Sequence, residues 1–255
     1  MSRFKQALAP VALSAAILLV WELAVRALHT PAYLLPPPSA IAAALADNAP
    51  LLLASAARTL GMALAALVVA SLTASVIALA LGLSPLMESA VRPLAVVLQA
   101  TPIVSIAPLV NIWAGLEHPE RAVIGLAALV AFFPIFSGLV TGLKAVDPDL
   151  ERLFKLYGAT RLQTLRRLRL PSAVPFVLEG HKVAAGLAVV GAVVAEFVSG
   201  SGGSQGLAFR LLEASQRLQT AKLFAALLLL GVMGAAIHAL FQALEAWALT
   251  RWRGR

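Results

Sequence analysis

From Thr59 to Leu83 the chain runs without one charged residue, and Pro93 to Leu116 and Ala122 to Leu143 do the same. Val183 to Ala208 is interrupted only by Glu196, Leu223 to Leu244 only by His238, and Ala7 to Val25 only by Glu22. A helix needs about 20 apolar residues to cross the hydrocarbon of a bilayer, and runs of this length meet that need. A water-soluble fold with buried helices would show polar faces that these runs lack. Charged residues are 13% of the chain and the mean hydropathy is +0.89, too little charge to cover a soluble surface of 255 residues. The expected fold class is all-α, a polytopic membrane protein with six transmembrane helices. The opening "MSRFKQALAPVALSAAILLVWELAV" is longer than a signal-peptide core and reads as a retained anchor helix.

Positive residues stay on the cytoplasmic side of short loops. Arg3 and Lys5 precede the first run; Lys144, Arg152, Lys155, Arg161, Arg166, Arg167, Arg169 and Lys182 separate the fourth from the fifth; Arg251, Arg253 and Arg255 end the chain. Six spans with both termini in the cytoplasm put all three groups on one face of a bacterial inner membrane. Arg210, Arg217 and Lys222 then fall outside. The organisation expected is one transmembrane domain over 1–255, with an N-terminal helix and outer loop in 1–55. A core occupies 56–250 and holds a cytoplasmic loop over 144–182. In the outer loop Pro36, Pro37 and Pro38 stiffen the chain, and Ser39 can cap a short helix through Ala46. Gly200 to Gly206 reads as a re-entrant or surface turn.

What is missing narrows the function. There is no cysteine, and the four histidines show no i, i+4 pair, so neither a metal site nor a cysteine nucleophile is expected. No glycine-rich loop ends in Gly-Lys-Ser/Thr, so no nucleotide site and no cofactor is expected on this chain. A membrane enzyme would need a nucleophile–base cluster, which is not found. A secondary transporter would carry paired ionisable residues in its spans, and only Glu22, Glu196 and His238 interrupt them.

Within the runs, Pro102, Pro108 and Pro134 break backbone ladders; such kinks either line a pathway or bend packed helices. Glu196 is a carboxylate in hydrocarbon, a functional candidate unless it reaches interfacial water. Gln99 and Asn111 are weaker pathway candidates. Gly186, Ala188, Gly191 and Ala192 allow close helix approach.

The stretch "LYGATRLQTLRRLRLP", Leu156 to Pro171, carries four arginines and no carboxylate. As a helix it aligns Leu162, Leu165 and Leu168 in one stripe, with Gly158 and Pro171 punctuating its ends. Such a helix either lies on anionic lipid or docks a soluble partner. The longer segment "DPDLERLFKLYGATRLQTLRRLRLPSAVP" resembles the cytoplasmic motif of permease subunits from binding-protein-dependent ABC importers. That motif reads Glu-Ala-Ala, three residues, Gly, nine residues, Ile-x-Leu-Pro. Gly158, Leu168, Leu170 and Pro171 match at the right spacing, while the Glu-Ala-Ala register falls on Arg152-Leu153-Phe154 with Glu151 one place early.

"LLPPPSAI", "ARTLGMALAALVVA", "TPIVSIAPLVNIWAGL", "FFPIFSGLVTGLKAVDPDL" and "GLAVVGAVVAEFVSG" are similar to the nitrate/sulfonate/taurine-type branch, and "LFKLYGA" to permeases for thiamine-precursor or riboflavin-like solutes. The resemblance implies a six-helix permease working as a pair, and a periplasmic or lipid-anchored solute-binding protein. Cytoplasmic ATPase subunits would dock at Asp149, Glu151, Arg152, Leu153, Phe154, Gly158, Ala159, Arg161, Arg166, Arg167, Leu170 and Pro171. It implies contact with lipid and none with nucleic acid.

Overall fold

The computed structural model describes residues 3–83, 90, 93, 97–99, 101–115, 117–199 and 205–252, and every long element among them is helical. In chain order these are α1 (Arg3–Ala27), α2 (Pro38–Asp47), α3 (Ala49–Leu83), α4 (Ile103–Ala114), α5 (Pro119–Lys144), α6 (Pro148–Leu156) and α7 (Arg161–Thr164). A π-turn over Leu165–Arg169 follows, then α8 (Leu170–Ser199), α9 (Leu207–Gln216) and α10 (Thr220–Trp252). Among the described residues four helices are long and apolar enough to cross a bilayer: α3, α5, the continuous rod Arg161–Ser199, and α10. The expectation of six spans goes beyond these four; much of the third apolar run lies outside the described residues.

The helices outrun the apolar stretches that predicted them. α3 begins ten residues before Thr59, because a helix need not stop where the hydrocarbon does. The fifth run, expected over Val183 to Ala208, is corrected at both ends. The rod starts at Arg161 and is helical to Ser199, and Ala208 belongs to the separate α9. The turn expected over Gly200 to Gly206 lies largely outside the described residues.

Contacts divide the chain into two compact units. The first joins residues 1–57 to 205–231. Here Ser39 is not the cap of α2: the N-cap is Pro37, which offers no side-chain acceptor. Glu22 of α1 does the capping instead. Its Oε2 accepts from the Ser39 backbone N–H at 3.0 Å, and its Oε1 accepts from Ser39 Oγ at 2.8 Å and from Arg26 Nε at 2.7 Å. A carboxylate at a helix N-terminus satisfies an orphan donor and opposes the helix dipole. The charge that interrupts the first run therefore holds α1 to α2. In the same unit Arg210 donates to Ser55 Oγ at 3.2 Å and to Glu213 at 2.8 Å. That bond, with the Arg217 guanidinium nearby, holds the Glu213 carboxyl below its usual value.

The second unit joins residues 58–204 to 232–255. Its centre is the pairing of α5 with α8. Both helices turn small residues inward: Ala127, Ala128 and Ala131 from one, Ala184, Ala185, Ala188 and Ala192 from the other, all buried. Lipid tails are as apolar as leucine, so helices in a bilayer gain little by burying grease; close packing and hydrogen bonds hold them instead. A Cβ on Gly191 would come 2.9 Å from Ala127 Cα, and one on Gly142 2.8 Å from Ala173 Cα. Gly186, expected to share this role, has nothing within 4 Å of a Cβ and takes no part. Polar ties run between other helices of the unit. Ser71 Oγ meets His181 Nε2 at 3.0 Å, and Lys182 bridges Glu179 and Glu245, the latter at 2.9 Å.

Candidate functional site: the 144–171 loop and a neutral cavity

Lys144 to Pro171 forms two helices around a tight turn. Asp147 caps α6 by accepting from the Asp149 N–H at 2.8 Å, and Pro148 takes the first helical position, where its missing N–H costs nothing. Asp149 and Glu151 sit in the first turn and Lys155 in the last, each complementing the helix dipole. Gly158, at φ +67°, ends α6: its N–H bonds to the Lys155 carbonyl at 3.0 Å, and the Ala159 N–H bonds to the Phe154 carbonyl at 3.0 Å. This is a Schellman closure, and its left-handed residue is why glycine stands there. Thr160 then caps α7 in a reciprocal box with Gln163, at 3.2 and 2.8 Å.

No residue of α6 is buried. Leu150, Leu153 and Leu156 recur every third residue along it and are 45%, 44% and 83% exposed; Tyr157, just beyond, is 83% exposed. A short helix that turns apolar side chains outward on a tight, capped turn is built to meet something. Arg152 pairs with Asp149 at 3.0 Å on an open surface, and Phe154 is half-buried.

The basic segment departs from expectation in three ways. Its helix starts at Arg161, not Leu156, because Gly158 belongs to the preceding cap. Leu165 and Leu168 are buried but Leu162 is 54% exposed, so the predicted stripe is only two residues long. Pro171 does not end the helix, which continues to Ser199. Proline in a helix lacks an N–H and crowds the carbonyl four residues back. Here the π-turn immediately before it opens the ladder, with the Leu170 N–H reaching back to the Leu165 carbonyl. Arg161, Arg166 and Arg167 are exposed, together with Asp149, Arg152 and Leu153. Leu170 packs instead against Leu143, Leu165 and Ala173, and Pro171 is half-buried inside the rod.

Arg169 is the arginine that sequence reasoning left out of the docking set. It follows Leu165 by four residues and so shares the inward face of the rod. Its Nε donates to Glu151 Oε1 at 2.8 Å, with Nη2 at 2.7 Å from the same oxygen, and Nη1 donates to the Gly82 carbonyl at 3.3 Å.

The pathway candidates separate. Gln99, Pro102 and Pro134 line one cavity of about 560 Å³ with Thr101, Phe133 and Ser137. The described residues that line it include no charged side chain; Gln99, Thr101 and Ser137 supply its polar groups. Pro108 lies inside α4 on an exposed face, away from that lining. Asn111 accepts from Ser199 Oγ at 3.1 Å. Glu196 is buried, 3% exposed, and its Oε1 accepts from the buried Thr59 Oγ1 at 2.7 Å. Nothing in the sequence pairs Thr59 with Glu196, which lie 137 residues apart.

Comparison with known proteins gives the family. Residues 66–253 match the family described as binding-protein-dependent transport system inner membrane component. A probable ABC transporter permease protein of Haemophilus influenzae is 31% identical over 88% of this chain and 89% of its own length. A formylaminopyrimidine transport permease protein of Halalkalibacterium halodurans is 30% identical over 99% of both chains. A crystal structure of an amino acid ABC transporter with histidines matches in fold alone, with a TM-score of 0.65 and 16% identity over 81% of this chain and 96% of that one. With a match spanning most of its length and a helical membrane fold to go with it, the chain belongs to the family of binding-protein-dependent transport system inner membrane components and is an ABC importer permease of the inner membrane.

Proposed function

We propose that this permease is the gate of an importer in which two copies of the chain surround one pathway and separate ATPase subunits supply the energy. Six spans with both termini in the cytoplasm carry it, as the arginine and lysine distribution supports. The observation that carries the reading is α6, an amphipathic helix with no buried residue, closed at its end by Gly158. Leu150, Leu153, Leu156 and Tyr157, with Phe154 and Ala159 beside them, would fill a groove on the ATPase. Asp149, Glu151, Arg152, Arg161, Arg166 and Arg167 would ring that contact with charge. Buried aromatic and aliphatic anchors surrounded by polar residues are the usual make-up of a stable interface. When ATP closes the two ATPase subunits, the groove carries α6 with it, and the spans switch as rigid bodies between inward-open and outward-open.

The cargo is a small solute delivered by an external binding protein. Relatives are named for aliphatic sulfonates, taurine and nitrate, and others for formylaminopyrimidine and riboflavin. The cavity around Gln99, Pro102 and Pro134 is the pathway segment proposed for this cargo, while Pro108, Asn111 and Glu196 support helices around it. The domain reading stands beside this: residues 1–55 are an outer addition to a permease core over 56–250.

The test is to replace Leu153 and Leu156 with glutamate and ask whether the ATPase still copurifies with membrane-inserted permease. Loss of the ATPase at unchanged permease level is expected. Full retention would refute docking at α6.

A further inference from the structure

Among the described residues, α6 has none that is buried. Cavities of about 350 and 340 Å³ flank it, the first lined by Ala78, Val140 and Lys144 among others, the second by Leu83, Lys155 and Arg161 among others. Gly82, Glu151 and Arg169 stand in the walls of both. Among the described residues, the guanidinium of Arg169 reaches across this gap to Glu151.

Its contacts join its own segment to two others. Glu151 belongs to α6, the Gly82 carbonyl to the last turn of α3, and Arg169 itself to the π-turn where α8 begins. The neighbourhood is a junction of helix ends: a Cβ on Gly82 would touch Leu143 of α5 at 3.2 Å and Leu165 at 3.7 Å. A planar, multi-donor fork holds a carboxylate and a carbonyl in a fixed relative geometry; a lysine ammonium is a compact charge on a flexible stem. The pair is neither buried nor open, with side chains 33% and 27% exposed, so it is screened less than a surface pair yet can still re-form after being strained. The π-turn marks the place where the helical ladder is already interrupted and can pivot.

We propose that Arg169 is a positioning residue for energy coupling: its guanidinium pins the ATPase-facing helix, through Glu151, to the end of the second span, through the Gly82 carbonyl. The proposal rests on the docking of the ATPase at α6. When the ATPase displaces α6, the pin makes the end of α3 and the start of α8 move with it. Without the pin, α6 follows the ATPase and the spans lag.

The chain has no cysteine, so a pair of spin labels at Lys155→Cys, on α6 but outside the proposed docking set, and Val76→Cys, both on exposed positions, reports the distance from α6 to α3. The sample is the assembled importer with its ATPase, in lipid nanodiscs, with and without ATP plus vanadate. With Arg169 in place the expected distance is single, narrow and the same in both states. With Arg169→Gln it should broaden and shift on nucleotide binding, while the ATPase stays bound and still hydrolyses ATP. Glu151→Gln should reproduce that shift, and the double variant should add nothing, since both break one link. Arg169→Lys should fall between. If Arg169→Gln fails to assemble, Glu151→Gln, which keeps side-chain volume, decides the matter. A distance unchanged by nucleotide in whichever of these assembles overturns the proposal. Retention of the ATPase by the Leu153→Glu, Leu156→Glu variant would instead overturn the docking reading beneath it.

Discussion

Gly180 of α8 rests against the backbone carbonyl of Pro134 in α5: a Cβ at Gly180 would lie 2.7 Å from that oxygen. The contact is reciprocated four residues along, where a Cβ on Gly138 would lie 2.6 Å from the Phe176 carbonyl. Backbone meets backbone at both places, and neither helix can yield by turning a side chain.

Alanine at either position is therefore expected to force the two helices apart. Overpacking of this kind costs roughly 1–3 kcal/mol. Gly180→Ala and Gly138→Ala should lower the melting temperature of the detergent-solubilised permease, whereas Gly186→Ala, with open space around it, should not. Equal melting of all three would contradict the packing described.

Thr59→Val deletes the hydroxyl that Glu196 accepts from, deep between α3 and α8. Losing one partner of a buried hydrogen bond costs about 1–3 kcal/mol. The expected result is a less stable permease whose transport, per folded molecule, is unchanged. Transport lost at normal stability would instead make Glu196 part of the gate.

Gly158→Ala puts a side chain at φ +67° and strains the Schellman closure; a non-glycine residue there costs about 1 kcal/mol. Gly158→Asn should be tolerated better, since asparagine enters the left-handed region more readily. The ranking Gly, then Asn, then Ala in the amount of ATPase retained on purification checks this. An alanine variant that retains as much as the parent would speak against it.

Glu213 provides a pH test. Its carboxyl is held below the ordinary value of 4.5, chiefly by the Arg210 bond. A depressed folded-state value means that its contribution to stability is complete above the unfolded value and fades as pH falls through the folded one. The melting difference between the parent and Glu213→Gln should accordingly be constant from pH 7 to about 5 and shrink at lower pH. A difference that grows on acidification would reverse the sign argued here.

Leu187→Trp places a large ring in the cavity that Gln99, Pro102 and Pro134 line. ATP hydrolysis should persist while solute uptake falls. Uptake at the parental rate would exclude this cavity from the pathway.

Hydropathy made the long helices legible because the bilayer imposes one simple demand on a spanning segment, and charge-free runs meet it visibly. Glycine at 158 is legible too, since its fixed spacing to Leu170-Pro171 marks it. Pairings across long sequence gaps left no such trace. Thr59 with Glu196, Glu22 with the Ser39 N–H, and Arg169 with Gly82 are each chosen by how helices come together, not by any local pattern. The helix ends went astray for a related reason: apolar length reports the hydrocarbon, and Pro171 reports a stop only where no π-turn comes before it.

Leu156 and Tyr157 stand at the tip of α6 with most of their surface bare. If α6 docks an ATPase as proposed, a copy inserted without that motor would keep those greasy side chains bare, and quality-control proteases search for such marks. Unmatched permease should then be short-lived, so the ratio of gate to motor would be trimmed by degradation rather than by matched synthesis; pulse-chase lifetimes with and without the motor subunit would reveal it.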